Sequence, residues 1–205
     1  NLSEQTNYGQ IVQIGCFRFV VKQAVCSDGY TTKHLVRDTL RPDKTADNLP
    51  YEKVGNNEPV CIADEVLFDI PDSWEWVRLG SIGDWGSGAT PSRTNTEYYG
   101  GDIPWLKTGD LNDGYIKHIP ESISHRALEK TSVRLNKTGS VLIAMYGATI
   151  GKVGILTFPA TTNQACCACL PIGIYNEYLF YFLMSQKSAF VKRGEGGAQP
   201  NISKE

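Results

Sequence analysis

The chain has 205 residues, of which 41% are hydrophobic, and its 20 basic and 22 acidic side chains give a formal net charge of −2. This length and composition exclude a largely disordered chain and allow one sizeable domain with a smaller appendage. No apolar stretch reaches the roughly 18 residues of a membrane span, and the N-terminal residues lack the pattern of a signal peptide. We therefore expect a cytoplasmic protein that does not enter a membrane.

The N-terminal part of the chain differs in composition from the rest. Residues 10–21 are rich in β-branched and aromatic side chains, which predicts one or two strands. Residues 41–57 are dense in Pro, Asp, Asn and Lys, so we expect a surface connection there without a core element. We therefore divide the chain into an N-terminal segment with its linker, residues 1–63, and a domain, residues 64–205.

The C-terminal domain has the pattern of a compact α+β fold. Apolar runs punctuated by glycine predict strands at residues 103–107, 140–146, 152–158 and 165–170. One helix is predicted from Glu177 to about Arg193, with Asn176 as its N-cap and Gly194 as its end. The expected fold class is α+β, with a mixed, mostly β core, a C-terminal helix and a short strand-rich appendage at the N-terminus.

Six cysteines are present, and three of them, Cys166, Cys167 and Cys169, crowd into one apolar run. Cys166 and Cys169 form a C-x-x-C pair, but no second pair exists and the three histidines lack ligand spacing. We therefore expect buried, reduced thiols without a metal, and no cofactor.

The motifs of the common enzymes are missing or broken. Asn-Leu-Pro-Tyr at residues 48–51 is similar to the Asn-Pro-Pro-Tyr signature of adenine-N6 methyltransferases, but Leu49 breaks the motif and no cofactor-binding glycine strand precedes it. Asp72 and Glu75 lack the lysine that a nuclease core places beside its second acid. A Walker A loop and a G-x-S-x-G elbow are also absent from the sequence. We expect no catalytic residues.

One segment is locally basic although the whole chain is slightly acidic. From Arg126 to Lys152 there are five basic residues and one acid, a surplus of four. Affinity for phosphates depends on such local clusters rather than on the total charge. The segment is either a phosphate-binding surface or an ordinary solvated face.

Seven short segments, in one order, carry a resemblance to a known family. They are Ile-Pro-Asp-Ser-Trp-Glu-Trp-Val-Arg-Leu at 70–79, Gly-Ala-Thr-Pro-Ser at 88–92, Asp-Ile-Pro-Trp-Leu at 102–106 with Gly-Asp-Leu at 109–111, Gly-Ser-Val-Leu at 139–142, Gly-Ala-Thr-Ile-Gly at 147–151, Thr-Asn-Gln at 162–164 and Gly-Ala-Gln-Pro-Asn-Ile-Ser at 197–203. Over residues 68–203 the chain resembles the specificity subunit of type I restriction-modification enzymes.

The resemblance implies a function as well as a fold. It implies a target recognition domain that is not catalytic and that reads one half of a bipartite site in double-stranded DNA. It also names two protein partners, the methylation (modification) subunit and the restriction (endonuclease and translocase) subunit, which the specificity subunit directs.

Candidate DNA contacts come from the shared segments and from those that the family pattern leaves unspecified. Hydroxyl and backbone N–H groups of the 88–92 turn can approach phosphate closely, whereas Asn163 and Gln164 either read adenine edges or hold loops together. Discrimination is expected from residues 93–99 and 112–137, where Arg93 or Arg126 is a candidate for a guanine edge, and where His118 and His125 also lie. The full set of candidates is Ser87, Thr90, Ser92, Arg93, Asn95, Tyr98, Lys107, Lys117, Arg126, Lys130, Arg134, Lys137, Tyr146, Thr149, Lys152, Asn163 and Gln164.

Two other functions stay open at the level of sequence. The same kind of recognition domain occurs inside fused methyltransferase-endonuclease polypeptides. A β-rich binding module that does not bind nucleic acid could also share the fold.

Overall fold

The described part of the chain has more residues in short strands than in α-helices. The computed structural model describes residues 18–22, 37–40, 46–47, 49–54, 56–66, 68–69, 71 and 74–194. Its strands are β1 (Arg18–Lys22), β2 (Arg37–Leu40), β3 (Tyr51–Val54), β4 (Val60–Cys61), β5 (Trp74–Arg78), β6 (Gly83–Ser87), β7 (Tyr99–Leu106), β8 (Gly114–Ile116), β9 (Ser122–Ile123), β10 (Val141–Ala144), β11 (Val153–Leu156), β12 (Thr161–Thr162) and β13 (Cys166–Pro171). Its α-helices are α1 (His125–Lys130), α2 (Asn176–Ser185) and α3 (Lys187–Gly194). None of the helices in these ranges is both long enough and apolar enough to cross a bilayer.

The chain divides into two compact units, of which Ile14–Ile82 contains β1 to β5. β1 pairs with β5 in antiparallel orientation, and β2, β3 and β4 form an antiparallel sheet. The predicted strand within residues 10–21 is confirmed at its C-terminal end, where β1 lies, and residues 10–17 lie outside the described part of the chain.

The prediction that residues 41–57 form a surface connection without a core element is wrong for Tyr51–Val54, because this strand, β3, is the middle strand of the β2–β3–β4 sheet. Glu52 on this strand is buried, with 7% of its surface exposed. Its carboxylate accepts a hydrogen bond from Arg78 Nε at 2.9 Å, which offsets the cost of burying a charge. The polar composition of this segment did not predict the strand, because the buried side chain, Glu52, is charged and ion-paired rather than apolar.

The other unit contains Gly83–Glu205 and holds two sheets. The five-stranded sheet has the order β6-β13-β10-β11-β8, with β8 and β11 parallel and the other pairs antiparallel. The three-stranded sheet has the order β12-β7-β9, in which β12 and β7 are parallel. Mixed sheets with separate helices confirm the α+β fold class. The division into residues 1–63 and 64–205 stays a prediction.

One face of the five-stranded sheet forms a core with residues that follow or precede the strands. Successive strand residues point to opposite faces, so alternate positions of β10, β11 and β13 contribute to this cluster. Its buried members are Leu106, Leu111, Ile116, Leu142, Ala144, Leu156, Ala160, Cys166 and Ala168. Gly154 packs closely here, since a Cβ at that position would lie 2.9 Å from Ile116 Cδ1 and would need this side chain to shift.

The opposite face of the same strands is also fully buried. Its residues on β10, β11 and β13 are Val141, Ile143, Val153, Ile155, Cys167 and Cys169, all exposed by 2% or less. Helix α2 packs across these three strands and buries Leu179, Phe180 and Leu183. None of these helix residues belongs to the cluster on the first face, so α2 covers this second face.

The four strands predicted in this domain are confirmed as β7, β10, β11 and β13, with bounds that differ by a few residues. Sequence reasoning missed β6, whose residues Gly-Asp-Trp-Gly-Ser lack a β-branched run. β6 forms because it pairs with β13 along five residues, from Gly83 opposite Pro171 to Ser87 opposite Cys167.

The prediction of one helix capped by Asn176 is wrong in two respects. The N-cap residue is Tyr175, and Asn176 is the first helical residue; its amide Nδ2 donates to Gly139 O at 3.4 Å. The helix also breaks at Gln186 into α2 and α3. Ser185 Oγ donates to Phe182 O at 2.7 Å, and such bonds from serine to the preceding turn bend helices. Helix α3 extends to Gly194, the last residue of the described range, so the predicted end at Gly194 stays a prediction.

Leu142→Ala should lower the free energy of unfolding by about 2–5 kcal/mol, because Leu142 is fully buried between two packed layers. Leu135→Ala is the matched control: Leu135 is 47% exposed, and surface substitutions usually change stability by less than about 0.5 kcal/mol. Urea unfolding followed by circular dichroism measures both. Equal losses for the two variants would contradict this description of the core.

The three clustered cysteines are buried, as the sequence predicted. Burial raises the pKa of the Cys167 thiol to about 11 and also raises the pKa values of Cys166 and Cys169. Cys166 and Cys169 lie on opposite faces of β13, so the C-x-x-C pair cannot hold one metal ion between its sulfurs.

We predict that Cys166, Cys167 and Cys169 resist alkylation in the folded protein, whereas the exposed Cys61 reacts quickly. Peptide mass spectrometry after brief iodoacetamide treatment measures each site. The absence of a metal stays a prediction, and stoichiometric zinc by elemental analysis, lost when Cys166 and Cys169 become serine, would overturn it.

Candidate nucleic-acid interface

Polar side chains gather where several strands of the second unit end. β6 and β10 both run antiparallel to β13, so their C-terminal ends meet the N-terminal end of β13. The pairing of β12 with β7 places their C-terminal ends at the same edge, because Asn163–Ala165 connects β12 directly to β13. We call this edge the strand-end edge, made of residues 87–93, 107, 121, 145–152 and 163–164.

Two chain segments are joined closely at the strand-end edge. Gly88 N donates to Cys166 O at 3.1 Å, and Ala89 N donates to Thr162 O at 3.0 Å. A Cβ at Gly88 would collide with the backbone of Thr162 and lie 2.5 Å from Asn163 O, so this approach requires glycine. The turn is therefore fixed against the residues that precede β13.

Thr90 and Gln164 lie side by side across this junction, and the Thr90 hydroxyl donates to Gln164 Oε1. Both side chains are exposed, and the amide nitrogen of Gln164 remains available as a donor. The backbone of Asn163 is bonded to Leu106 O at 2.9 Å, and its side-chain Oδ1 is shielded without a hydrogen-bond partner among the described residues. Gln164 is therefore exposed at the surface, whereas the backbone of Asn163 helps to hold the junction; contact of either side chain with DNA stays a prediction.

An open cavity of about 460 Å³ lies beside this pair. Its lining is a mixture of hydroxyl, amide, aromatic and small groups: Ser87, Gly88, Ala89, Thr90, Ser132, Met145, Tyr146 and Gln164. Tyr146 is half-buried, and burial raises the pKa of its hydroxyl, so this group is protonated and can donate at neutral pH. The cavity offers hydrogen-bond donors and acceptors without a cluster of ionised groups.

Arg93 lies at the other side of the turn, over two aromatic rings. Its guanidinium carbon is 4.3 Å from the ring centroid of Tyr99 and 4.9 Å from that of Trp105. The Tyr99 hydroxyl donates to Pro91 O at 2.6 Å, and Trp105 Nε1 donates to Ala89 O at 3.0 Å. The side chains of Tyr99 and Trp105 are thus hydrogen-bonded to the backbone of the turn that precedes Arg93. Their rings also contact the Arg93 side chain, so they support both the turn and the arginine.

Glu121 joins two basic side chains at this edge. Its carboxylate forms ion pairs with Arg93 and, at 2.9 Å, with Lys107 Nζ. The hydrogen bond from Arg93 lowers the pKa of the Glu121 carboxyl, burial opposes this change, and the bond from Lys107 adds to it. The carboxylate is ionised at neutral pH, and the three groups together carry one net positive charge.

The loop between β10 and β11 also belongs to the strand-end edge. Gly147 and Gly151 have φ values of 80° and 74°, which are strained for other residues, and Lys152 N donates to Thr149 O at 2.9 Å. Lys152 Nζ lies 3.4 Å from Leu111 O. The predicted contacts Tyr146, Thr149 and Lys152 are therefore in one tight loop.

Two predicted contacts lie elsewhere. Lys117 follows β8 and Lys137 precedes β10, which places both exposed lysines at the opposite end of the five-stranded sheet. The structure therefore does not bring the complete basic segment to one surface, because β10 separates Lys137 from Lys152 by the length of the strand.

Other basic candidates are occupied by acidic or backbone partners. Arg126 pairs with Glu97 at 3.2 Å, and both side chains are 61% exposed. Arg134 lies over Gly86, where it donates to Trp85 O at 3.2 Å and pairs with Asp84. These contacts reduce the positive charge that the segment presents to solvent.

The remaining candidates have local roles or stay exposed. Asn95 accepts a hydrogen bond from Glu97 N at 3.1 Å, Ser92 Oγ lies 2.8 Å from Thr94 Oγ1, and half-buried Tyr98 packs beside Ile103 and Ala127. His125 lies 3.3 Å from Asp102. The exposed residues Lys130 and His118 complete the set.

Several residues in or beside the strand-end edge were not among the predicted contacts: Tyr99, Trp105, Glu121, Ser132 and Met145. Trp105 lies in a predicted strand, and Tyr99 and Glu121 lie in the segments 93–99 and 112–137, but no local pattern marks an acid or these two aromatic residues as DNA contacts. Their proximity to Arg93 depends on pairing between segments far apart in sequence.

The fold and the strand-end edge together define a class of protein: an α+β module whose strand ends present a polar surface. Residues 71–205 match the family described as type I restriction modification DNA specificity domain. The match covers well over half of the chain, so this chain belongs to that family.

Individual relatives support this assignment. Over 134 residues the chain is 36% identical to the type I restriction enzyme MjaIX specificity subunit of Methanocaldococcus jannaschii, which aligns 63% of this chain with 31% of that protein. It is 28% identical over 146 residues to the EcoR124I/EcoR124II specificity subunit of Escherichia coli, aligning 68% and 36%. The crystal structure of the HsdS subunit from Thermoanaerobacter tengcongensis has a similar fold, with a TM-score of 0.50, 21% identity and coverage of 66% and 35%. The chain thus spans about a third of the length of these relatives.

We predict that the carboxyl pKa of Glu121 lies below that of an ordinary glutamate, and that Arg93→Ala raises it. Since the folded-state pKa is lowered, the ion pairs stabilise the fold above the unfolded-state pKa, and this contribution disappears as pH falls through the lowered value. NMR titration of the side-chain carboxyl carbon measures the shift, with Arg126→Ala as the control. An ordinary pKa in the wild-type protein would contradict the ion-pair geometry.

Proposed function

We propose that this chain is a DNA-recognition domain of a type I restriction-modification specificity subunit and that it reads one half of a bipartite target. The observation that carries the proposal is the gathering of Thr90, Gln164, Tyr146, Arg93 and Lys107 at one edge of a domain of this family. Contacts to phosphates position a protein on DNA, and contacts to base edges select the sequence. The strand-end edge has groups suited to both tasks.

The DNA lies along the strand-end edge rather than along the opposite end of the five-stranded sheet. The edge combines a cavity lined by hydroxyl and amide groups with a cluster, Arg93, Lys107 and Glu121, whose net charge is positive. The turn after Gly88 presents the exposed Thr90, and the loop from Gly147 to Gly151 carries Thr149 at the same edge; hydroxyl groups of such residues can contact phosphate.

The chain has no catalytic activity of its own in this proposal. It directs the methylation and restriction subunits to the DNA sequence that it binds. Membership of the specificity-domain family supports this role, and a cytoplasmic location stays a prediction from the sequence.

Lysine substitutions on either side of β10 locate the DNA. Lys152→Ala at the strand-end edge should weaken binding to all duplexes and reduce the slope of log K against log salt by about one. Lys137→Ala is the matched control at the opposite end, and we expect it to leave both quantities unchanged. Fluorescence anisotropy at several low salt concentrations measures them. Weaker DNA binding by Lys137→Ala but not by Lys152→Ala would show that the DNA binds at the opposite end of the sheet. That result would contradict the proposal.

The purified chain should show no methyl transfer to DNA with S-adenosylmethionine and no DNA cleavage with magnesium and ATP. Radiolabelled methyl incorporation and gel electrophoresis detect the two activities. Turnover by the chain alone in either assay would reject the non-catalytic role, and binding data would then have to be interpreted for an enzyme.

A further inference from the structure

The described arginines of the second unit differ in how firmly and how openly they are held. Arg126 is exposed, and its one recorded partner is the equally exposed Glu97, an arrangement that fixes a side chain weakly. Arg134 uses Nη1 on Trp85 O and Nη2 on Asp84. Arg93 combines three supports with a side chain that is 54% exposed.

The supports of Arg93 restrict the movement of its guanidinium. The rings of Tyr99 and Trp105 meet edge to face, with centroids 6.0 Å apart and an angle of 78°, and Arg93 lies over both. Trp105 is 2% exposed and its indole N–H is bonded to Ala89 O, so this platform cannot turn freely. The contact with Glu121 is made through Nη1 and sets the rotation of the group about its axis.

This arrangement leaves donors on Arg93 for an outside acceptor. A guanidinium has five N–H donors in a fixed fork, and the contact with Glu121 uses only Nη1. Two parallel acceptors, O6 and N7, occur on the edge of guanine in the major groove, and a guanidinium can bond both at once. A phosphate contact needs charge alone, whereas this bidentate contact needs the orientation that the platform supplies.

We propose that Arg93 reads the major-groove edge of a guanine, with Glu121 as its positioning residue, so that the half-site of this domain contains a G·C pair opposite Arg93. The inference rests on the proposed DNA-recognition function and names the residue that determines part of its specificity. Arg126, which the sequence made an equal candidate, has no aromatic platform among the residues that the structure describes, and we expect it to contact no specific base.

Selection from a random duplex pool tests the proposal without knowledge of the target. The 205-residue chain is incubated at low salt with duplexes that carry a randomised centre, and bound DNA is sequenced for the wild type, Arg93→Ala and the control Arg126→Ala. The wild-type and Arg126→Ala pools should share a position dominated by G·C, and the Arg93→Ala pool should lose that position alone. The same G·C preference with Arg93→Ala, or a wild-type consensus without a G·C position, would overturn the inference.

A different result separates this inference from the proposed function. A wild-type pool without any enriched sequence would reject sequence reading by this chain, and the inference would fall with it. A wild-type consensus that is unaffected by Arg93→Ala would reject the inference and leave DNA recognition intact.

A modified base then tests the bond itself. Replacing the selected guanine by 7-deazaguanine removes the N7 acceptor and keeps the pairing with cytosine. The wild type should bind this duplex several-fold more weakly than the guanine duplex. Arg93→Ala should bind both duplexes equally, because this variant has already lost the contact with N7.

Arg93→Lys keeps the positive charge and the aliphatic stem but not the planar, two-pronged donor group of the guanidinium. It should lose about 5- to 150-fold discrimination against other bases while binding scrambled DNA as the wild type does.

Glu121→Gln separates positioning from simple structural support. It removes one negative charge from the strand-end edge, so binding to scrambled duplexes should become tighter. It also weakens the contact that orients Arg93, so discrimination at the guanine should fall. A variant that binds cognate and scrambled DNA with equally reduced affinity would show a structural role only and would remove Glu121 from the proposal.

Discussion

The approach of Gly88 to Thr162 and Asn163 is the constraint on which the strand-end edge depends. It joins the end of β6, in the five-stranded sheet, to the end of β12, in the three-stranded sheet. The two backbone hydrogen bonds of this junction fix the turn that carries Thr90 and, a few residues later, Arg93. A side chain at residue 88 would separate these segments, and with them the hydroxyl, amide and guanidinium groups that the edge presents.

The strand-end edge has few charged groups, but they are held in fixed positions. A chain with a net charge of −2 can therefore still present a surface for DNA. Glu121 balances one of the two cations beside it and orients both. An excess of free lysines would raise affinity for any DNA, because phosphates are the same in every sequence. Cations that are paired with an acid and held in a fixed geometry bind DNA in general less tightly, but they can favour one base sequence over others.

The sequence predicted those parts of the fold that depend on local pattern. β10, β11 and β13 are continuous apolar runs buried on both faces, so their existence could be read directly. β6 could not, because its glycines and its aspartate are tolerated only through pairing with β13. The same limit applied to the site: Thr90 and Gln164 were both candidates, but their contact spans 74 residues, and no local pattern indicates it. The role of Glu121 could not be predicted from the sequence, because its partners Arg93 and Lys107 are distant in sequence and come close only in the folded chain.

Arg134 shows a different use of a basic side chain. β6 is an outer strand of the five-stranded sheet, and outer strands present unpaired backbone groups that can template pairing with another molecule. Arg134 bonds the Trp85 carbonyl on this strand and lies directly over Gly86, in the space that a side chain at residue 86 would occupy. The arginine thus occupies the place that a further strand would need, and a charge on the open side of the sheet discourages β-sheet growth from one molecule to the next.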